Sequence, residues 1–448
     1  MGNKGSRMIS MSQQNAAHFH RLEEDNTVPR VSRIFSSQIR SSPRVVTPSI
    51  EDPPSALPLV YTDSGGRLQL DESVAQRCFL GSKVSEFPLC LICVIGEKRR
   101  GKSILLNYIL RALQCLERSQ PVSLGQEDEP LTGFEWRRGT DGVTKGIWIW
   151  SKPFILERDG KKLAVYVLDT EGSLDIEGDR ETSIKLSALS MLLSSYLIFN
   201  VNAILKSTEL DYLEMYLHVA KLTGESFSLK YLQHLDFLVR DWQDPDCCGR
   251  EAAHAYLQHE SEKLGRRMDS EYRNFLNVIR TQSVSGFLLP HPGNKFLKSK
   301  QGRLADMDDE FKGYLREYIS DVIEGIWLHQ KSDEKGREIT CGHVGRLLKE
   351  FVAMLQSKKY SFASPLEMAY SLENYMQMKN ILQGFQDYLD QQFPSGSSLE
   401  VLRVKPSKMR IRVNKKVTEV LEECDRRRCP VHGWWDCWSC AGWNIGDC

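Results

Sequence analysis

The segment Gly96-Glu97-Lys98-Arg99-Arg100-Gly101-Lys102-Ser103 carries the densest chemistry in the chain. It fits G-x-x-x-x-G-K-[ST], a loop whose backbone N–H groups cradle a polyphosphate. Gly96 and Gly101 permit the tight turn, Lys102 reaches toward the β- and γ-phosphates, and Ser103 offers an oxygen to Mg²⁺. The flanks suit that work. Leu89 to Ile95 is a short apolar run that reads as a buried strand, and Ile104 to Leu110 has the apolar density of a helix packed on a sheet. A helix that starts at the loop adds its dipole to the attraction for anions. The pattern implies a nucleoside-triphosphate site.

Three further motifs follow in an order that fits such a site. Leu163 to Asp169 is an apolar strand ending in an acid, and Asp169-Thr170-Glu171-Gly172 is a D-x-x-G signature. Asp169 would hold Mg²⁺ through water, and the Gly172 N–H would sense the γ-phosphate. Between these motifs lies Thr140-Asp141-Gly142-Val143-Thr144-Lys145-Gly146. A loop Thr just before a strand can offer hydroxyl and backbone groups to Mg²⁺ and the γ-phosphate; Thr144 is the choice and Thr140 the reserve. The fourth piece, Leu238-Val239-Arg240-Asp241-Trp242, again ends an apolar strand. A carboxylate at 241 can accept from N1–H and the 2-amino group of guanine, a donor pair that adenine does not present.

The set G-x-x-x-R-x-G-K-S, T-K-G-I-W, D-T-E-G and R-D resembles the large GTPases of the atlastin and guanylate-binding-protein group within the dynamin superfamily. Phe134-Glu135-Trp136, Val239 to Trp242 and Phe287 to Gly293 are similar in detail to the atlastin and neurolastin branches. The resemblance covers about Leu57 to Phe393. It implies GTP hydrolysis with Mg²⁺ and a homodimer formed through the nucleotide domains. By position it makes Arg99 an internal arginine finger, with Lys102 and Thr144 as its catalytic companions. Gly96, Gly101, Lys102, Ser103, Asp169, Gly172, Arg240 and Asp241 become the nucleotide contacts, and Ser103, Thr144 and Asp169 the metal ligands. Ser173 follows Gly172, so the water-orienting Gln of small GTPases is absent, and placing water falls to the backbone, a switch group or the substrate. His291, in the Leu-Pro-His-Pro-Gly turn, reads as structural. The alternative is a nucleotide-gated scaffold that binds GTP with little turnover; the intact Arg99, Lys102, Ser103, Thr144 and Asp169 favour the enzyme.

The chain departs from those branches in two respects. No stretch reads as a membrane span; Ser187 to Leu205 reads instead as a buried helix running into a buried strand. The first cysteine is Cys78, so residues 1–55 contain none of the cysteines a RING finger needs.

The elements that must position these residues read as an α/β P-loop domain with a mostly parallel sheet and helices on both faces, followed by a small helical bundle. Residues 1–55 form a disordered, mildly basic arm, 56–320 the nucleotide domain, 321–393 the helical domain, and 394–448 a basic segment with a Cys/Trp-rich tail. Strand candidates are Leu89–Ile95, Gly146–Trp150, Leu163–Leu168, Tyr196–Val201, Leu235–Val239 and Ser285–Leu289. Helical periodicity marks Leu210–Leu222, Val344–Leu355 and Leu372–Leu389.

The 448 residues carry 59 basic and 59 acidic side chains, a balance that speaks against a nucleic-acid partner. Twelve cysteines without a preceding apolar leader fit a reducing, cytoplasmic setting. Met1-Gly2-Asn3-Lys4-Gly5-Ser6 matches the N-myristoylation pattern, which would give peripheral contact with an internal membrane. One acyl chain anchors only marginally, so Lys4 and Arg7 would have to assist. In the tail, Cys429, His432, Cys437 and Cys440 are ligand types for Zn²⁺, but Gly433 to Asp436 is a tight connection and a metal-free tail is the leading expectation.

Overall fold

The computed structural model describes residues 53–357 except 82–83, 137–144, 173–179, 245, 268–271 and 281–283, together with Gly384 and Asp387. Gly2, Thr140, Thr144, the segment Leu372–Leu389 as a helix, and the cysteine-rich tail lie outside the described residues.

Among the described residues, nine strands form one sheet: β1 (Ala56–Thr62), β2 (Leu68–Leu70), β3 (Leu89–Gly96), β4 (Ile147–Trp150), β5 (Phe154–Arg158), β6 (Lys161–Thr170), β7 (Tyr196–Asn202), β8 (His234–Trp242) and β9 (Val284–Pro290). The helices are α1 (Glu72–Phe79), α2 (Lys102–Glu117), α3 (Arg180–Leu193), α4 (Ser207–Ser226), α5 (Gly249–Arg267), α6 (Arg273–Arg280), α7 (Asn294–Lys298), α8 (Asp309–Gly325) and α9 (Cys341–Ser357). Strand order is β2-β1-β4-β6-β3-β7-β8-β9, with β5 added antiparallel to β6. The central ladders β6·β3, β3·β7, β7·β8 and β8·β9 are parallel.

Helices cover both faces, and β3 shows why its sequence is apolar without alternation. Leu89, Leu91, Cys93 and Ile95 face a core shared with Ile184, Leu189, Leu213, Leu217, Leu348 and Phe351. Cys90, Ile92 and Val94 face the opposite core, with Leu106 and Ile109 of α2 and Phe311, Leu315, Tyr318 and Val322 of α8. A strand buried on both sides has no polar face to alternate with. Each such Leu or Ile side chain contributes about 1.5–3 kcal/mol through burial.

All six strands expected from the sequence are present. Strands β1, β2 and β5 pair antiparallel at one side of the sheet and carry little periodic signal. The helix expected over Leu210–Leu222 extends to Ser207–Ser226, and the apolar stretch Ser187 to Leu205 divides into the end of α3, the strand β7 and a short turn. Helix α8 crosses the position 320/321, and α9 packs Val344, Leu348, Phe351 and Leu355 into the same core as the sheet.

The link between α8 and α9 passes under the start of β3, where the Lys331 N–H donates to Leu89 O (2.9 Å) and the Cys341 N–H to Phe87 O (2.9 Å). Lys331 is 1% exposed, and its Nζ donates to Leu192 O (2.6 Å) and Ser194 O (3.0 Å) at the end of α3. Burial pushes its ammonium down to about 7. The unfolded chain therefore holds more protons than the folded one between that value and the ordinary lysine pKa, so stability rises with pH across the window. We expect Lys331→Met to flatten this rise; a melting-temperature profile from pH 7 to 9 that keeps its slope would assign the effect to other groups.

Candidate nucleotide site

The C-terminal ends of β6, β3, β7 and β8 lie on one edge of the sheet, where parallel α/β proteins place their ligands. The loop after β3 turns directly into α2. Gly96 has φ 135° and Gly101 φ 68°, both in the region that disfavours side chains. A Cβ at 96 would collide with the Asn200 carbonyl, and one at 101 with the Arg240 guanidinium. The two invariant letters of the loop pattern therefore have separate steric causes in this fold.

Lys102 is 6% exposed, and its Nζ donates to Gly96 O (3.2 Å) and Glu97 O (3.0 Å), which holds the ammonium over the loop. Burial, partly offset by Asp169, pushes it down to about 8. An anion placed in the loop would raise it again and favour the ammonium further. The Ser103 Oγ–H donates to Asp169 Oδ2 at 2.7 Å, and Asp169 is 1% exposed at the end of β6. Thr170 fixes that strand end by donating its hydroxyl to Val94 O (2.6 Å). Two hard oxygen donors this close suit Mg²⁺, which takes few protein ligands and completes its shell with water and phosphate. The residues fit the ion.

Gly172 lies against the loop, since a Cβ there would collide with Lys98 and Lys102. Its neighbour Glu171 joins three segments. Its Oε1 pairs with Lys98 Nζ (3.2 Å), its Oε2 accepts from the Gly146 N–H (3.0 Å), and its own N–H donates to Gly146 O (2.7 Å). The second motif is thus tied both to the phosphate loop and to the strand entered from the Thr144 loop.

Arg99 is exposed and makes no hydrogen bond or ion pair among the described residues. Its φ of 62° is left-handed, a conformation that costs an L-residue about 1–2 kcal/mol. Arg100, by contrast, is engaged with Glu97 (2.9 Å). Asp241 also has a left-handed backbone, φ 56°, where the β8·β9 register shifts between Val239 and Trp242. Such an irregularity re-aims a side chain at a strand end. Backbone strain at both an expected catalytic position and an expected recognition position marks candidate function. Trp242 packs edge-on against Tyr256, ring centroids 5.2 Å apart, and braces the strand end.

The structure thus brings Gly96, Gly101, Lys102, Ser103, Asp169, Gly172, Arg240 and Asp241 to one edge. Arg240, expected among the nucleotide contacts, donates its Nη1 to Arg100 O (2.6 Å) beneath the phosphate loop. His291 accepts the Gly293 N–H on its Nδ1 (3.0 Å), a contact within the turn. Sequence reasoning missed Asn200, buried under the loop at the end of β7, because nothing in Ile198-Phe199-Asn200-Val201 sets it apart from a strand terminus.

A Gly-turned loop between a buried parallel strand and a helix, with its Lys and Ser–Asp pair in place, defines a P-loop nucleoside-triphosphatase domain. Comparison with known proteins is more specific. The guanylate-binding protein, N-terminal domain, family matches residues 66–331, and the chain belongs to that family. The chain is similar to human RING finger protein 112, 33% identical over 366 residues, covering 79% of this chain and 56% of that protein. It is similar to atlastin-2 of Xenopus laevis, 28% identical with 79% and 61% covered, and to atlastin-1 of Bos taurus, 33% identical with 65% and 53% covered. The chain spans somewhat more than half the length of these curated relatives.

Proposed function

We propose that the chain binds Mg²⁺–GTP and hydrolyses it to GDP and phosphate. The observation that carries this reading is the Ser103–Asp169 pair, 2.7 Å apart, beside a loop whose Lys102 is already fixed on its carbonyls. Ser103 and Asp169 would hold Mg²⁺, with Thr144 as a third contributor, and the ion when bound neutralises charge on the β- and γ-phosphates. Lys102 binds those phosphates from the loop, and the Gly172 N–H meets the γ-phosphate. Asp241 selects guanine through N1–H and the 2-amino group.

Water attacks the γ-phosphorus in line, and the protein's contribution is position and charge rather than a covalent intermediate. Arg99 supplies the mobile charge. Its outward position in the free chain suits a group that turns onto the phosphates when a second copy of the nucleotide domain covers the loop. Hydrolysis would then release the switch segments and shift the helices that follow the nucleotide domain. Contact with an internal membrane through an acylated Gly2 belongs to the same proposal. Among the described residues, no helix is long and apolar enough to cross a membrane.

The test is phosphate release from GTP and from ATP across a dilution series of the protein, with and without chelation of Mg²⁺. Release from GTP alone, rising per subunit with protein concentration and lost by at least about tenfold on chelation, is the expected result. Equal release from ATP would remove the base assignment, and tight GTP binding with negligible release would leave a nucleotide-gated scaffold.

A further inference from the structure

Asn200 touches the phosphate loop at both ends. Its backbone carbonyl packs against Gly96, with which it is in register across β3·β7. Its side-chain Nδ2 donates to Arg100 O at 3.1 Å, the same carbonyl that receives Arg240 Nη1 at 2.6 Å. Both lone pairs of that carbonyl are therefore occupied from beneath the loop.

A trans peptide points its C=O and N–H in opposite directions. Pinning the Arg100 carbonyl to the sheet side therefore aims the Gly101 N–H away from the sheet, toward the space the loop encloses. Gly101 is also the residue at which the loop enters α2, so that N–H belongs to the set a phosphate would meet first. The arrangement has a cost that makes it informative. Asn200 is 1% exposed, yet its Oδ1 is buried with no hydrogen-bond partner among the described residues. A buried unsatisfied acceptor destabilises the fold, and an apolar side chain of similar shape would not carry that penalty.

We propose that Asn200 is a positioning residue for the polyphosphate: with Arg240 it clamps the Arg100 carbonyl and so holds the Gly101 N–H in its phosphate-binding orientation before the nucleotide arrives. The proposal rests on the nucleotide-binding reading above and adds a residue to it. Asn200 itself touches no phosphate. Its effect is preorganisation, which saves the loop a reorientation on binding. Arg240 gives the clamp a second consequence. It directly precedes Asp241, so the residue that would seat the base and the residue that helps present the Gly101 N–H to phosphate are neighbours on one strand end.

Two substitutions with opposite chemistry test this. Asn200→Leu removes both the clamp donor and the orphan acceptor. Asn200→Asp keeps the shape but sets a carboxylate against the Arg100 carbonyl. Affinity would be read with a fluorescent GDP and Mg²⁺, and stability as the melting temperature of the nucleotide-free protein. We expect Asn200→Leu to weaken GDP about five- to tenfold with an unchanged or raised melting temperature, and Asn200→Asp to weaken GDP more than Leu does. Unchanged affinity in both variants overturns the proposal. So does a loss of affinity that parallels a fall in melting temperature, with the isosteric Asp better tolerated than Leu, because that pattern belongs to packing alone. Lys102→Ala serves as the control: if it binds GDP as tightly as the unsubstituted chain, the nucleotide site itself is wrongly assigned, whatever Asn200 does.

Discussion

Arg99→Ala lowers GTP turnover per subunit by about 10³-fold or more while GDP affinity changes by no more than about threefold: this is the expected result, on the scale of arginine groups that neutralise a transferring phosphoryl. The asymmetry between turnover and binding follows from where the side chain sits. Arg99 is exposed, carries a left-handed backbone and bonds to nothing among the described residues, whereas Lys102 is buried and already fixed on the loop carbonyls. A group held away from the phosphates in the free protein contributes little to ground-state binding. If it turns inward when a second copy covers the site, its charge acts mainly in the transition state, and the loss falls on kcat. The same variant should lose the rise of specific activity with protein concentration. A tenfold or smaller effect on turnover, with concentration dependence intact, would return Arg99 to the role of a basic residue that steers phosphate. Arg100 is a useful comparison, because its pairing with Glu97 holds it at the loop rim and its removal should cost less.

The second large effect is on base choice. Asp241→Asn should weaken GTP by two or more decades, roughly 10²- to 10⁴-fold, and improve binding of the xanthine nucleotide, in which an oxygen replaces the 2-amino group. The physical reason is pairing. A carboxylate accepts two hydrogen bonds from guanine, while an amide offers one donor that faces the guanine amino group unfavourably and the xanthine oxygen favourably. Asp241 is half-buried at a register shift in the sheet and has no hydrogen-bond partner of its own among the described residues, so its acceptors remain available to a ligand. The measurement is competition of GTP, XTP and ATP against a fluorescent GDP. Unaltered ranking in the variant would take Asp241 out of the base site and turn attention to other groups on the β8 edge.

These two residues show how unevenly the site can be read from the chain. Asp241 is legible as an acid ending an apolar strand, and its left-handed φ is visible only in three dimensions. Arg99 is legible by its place in the loop pattern, yet nothing in the sequence distinguishes it from Lys98 and Arg100. The fold separates the three by giving Lys98 a pairing with Glu171, Arg100 a pairing with Glu97, and Arg99 the exposed position. Arg240 was legible only as the neighbour of Asp241. Its work beneath the phosphate loop depends on a contact 140 residues away in sequence.

The fold divides along similar lines. The central strands β3, β6, β7 and β8 announce themselves because a strand buried on both faces is a continuous apolar run bounded by turn residues, and burial is a property of the segment itself. The antiparallel strands β1, β2 and β5 do not, because a strand at the side of a sheet draws its stability from the neighbour it pairs with. Helix α9 is periodic enough to be read as a helix, but its packing on the sheet core rather than on other helices of a separate bundle is decided by which apolar faces meet.

Taken by itself, the sequence determined the phosphate loop, the order of the motifs that follow it and the strands that present them, since each depends on residues within a few positions of one another. Only the tertiary structure decided which peptide carbonyls are pinned and by what. Asn200 and Arg240 meet at Arg100 across 100 and 140 residues, and Lys331 closes the end of α3 across 139. Such contacts exist because the parallel sheet brings distant strand ends to one edge and distant strand starts to the other, and no local pattern of side chains encodes which of them become neighbours.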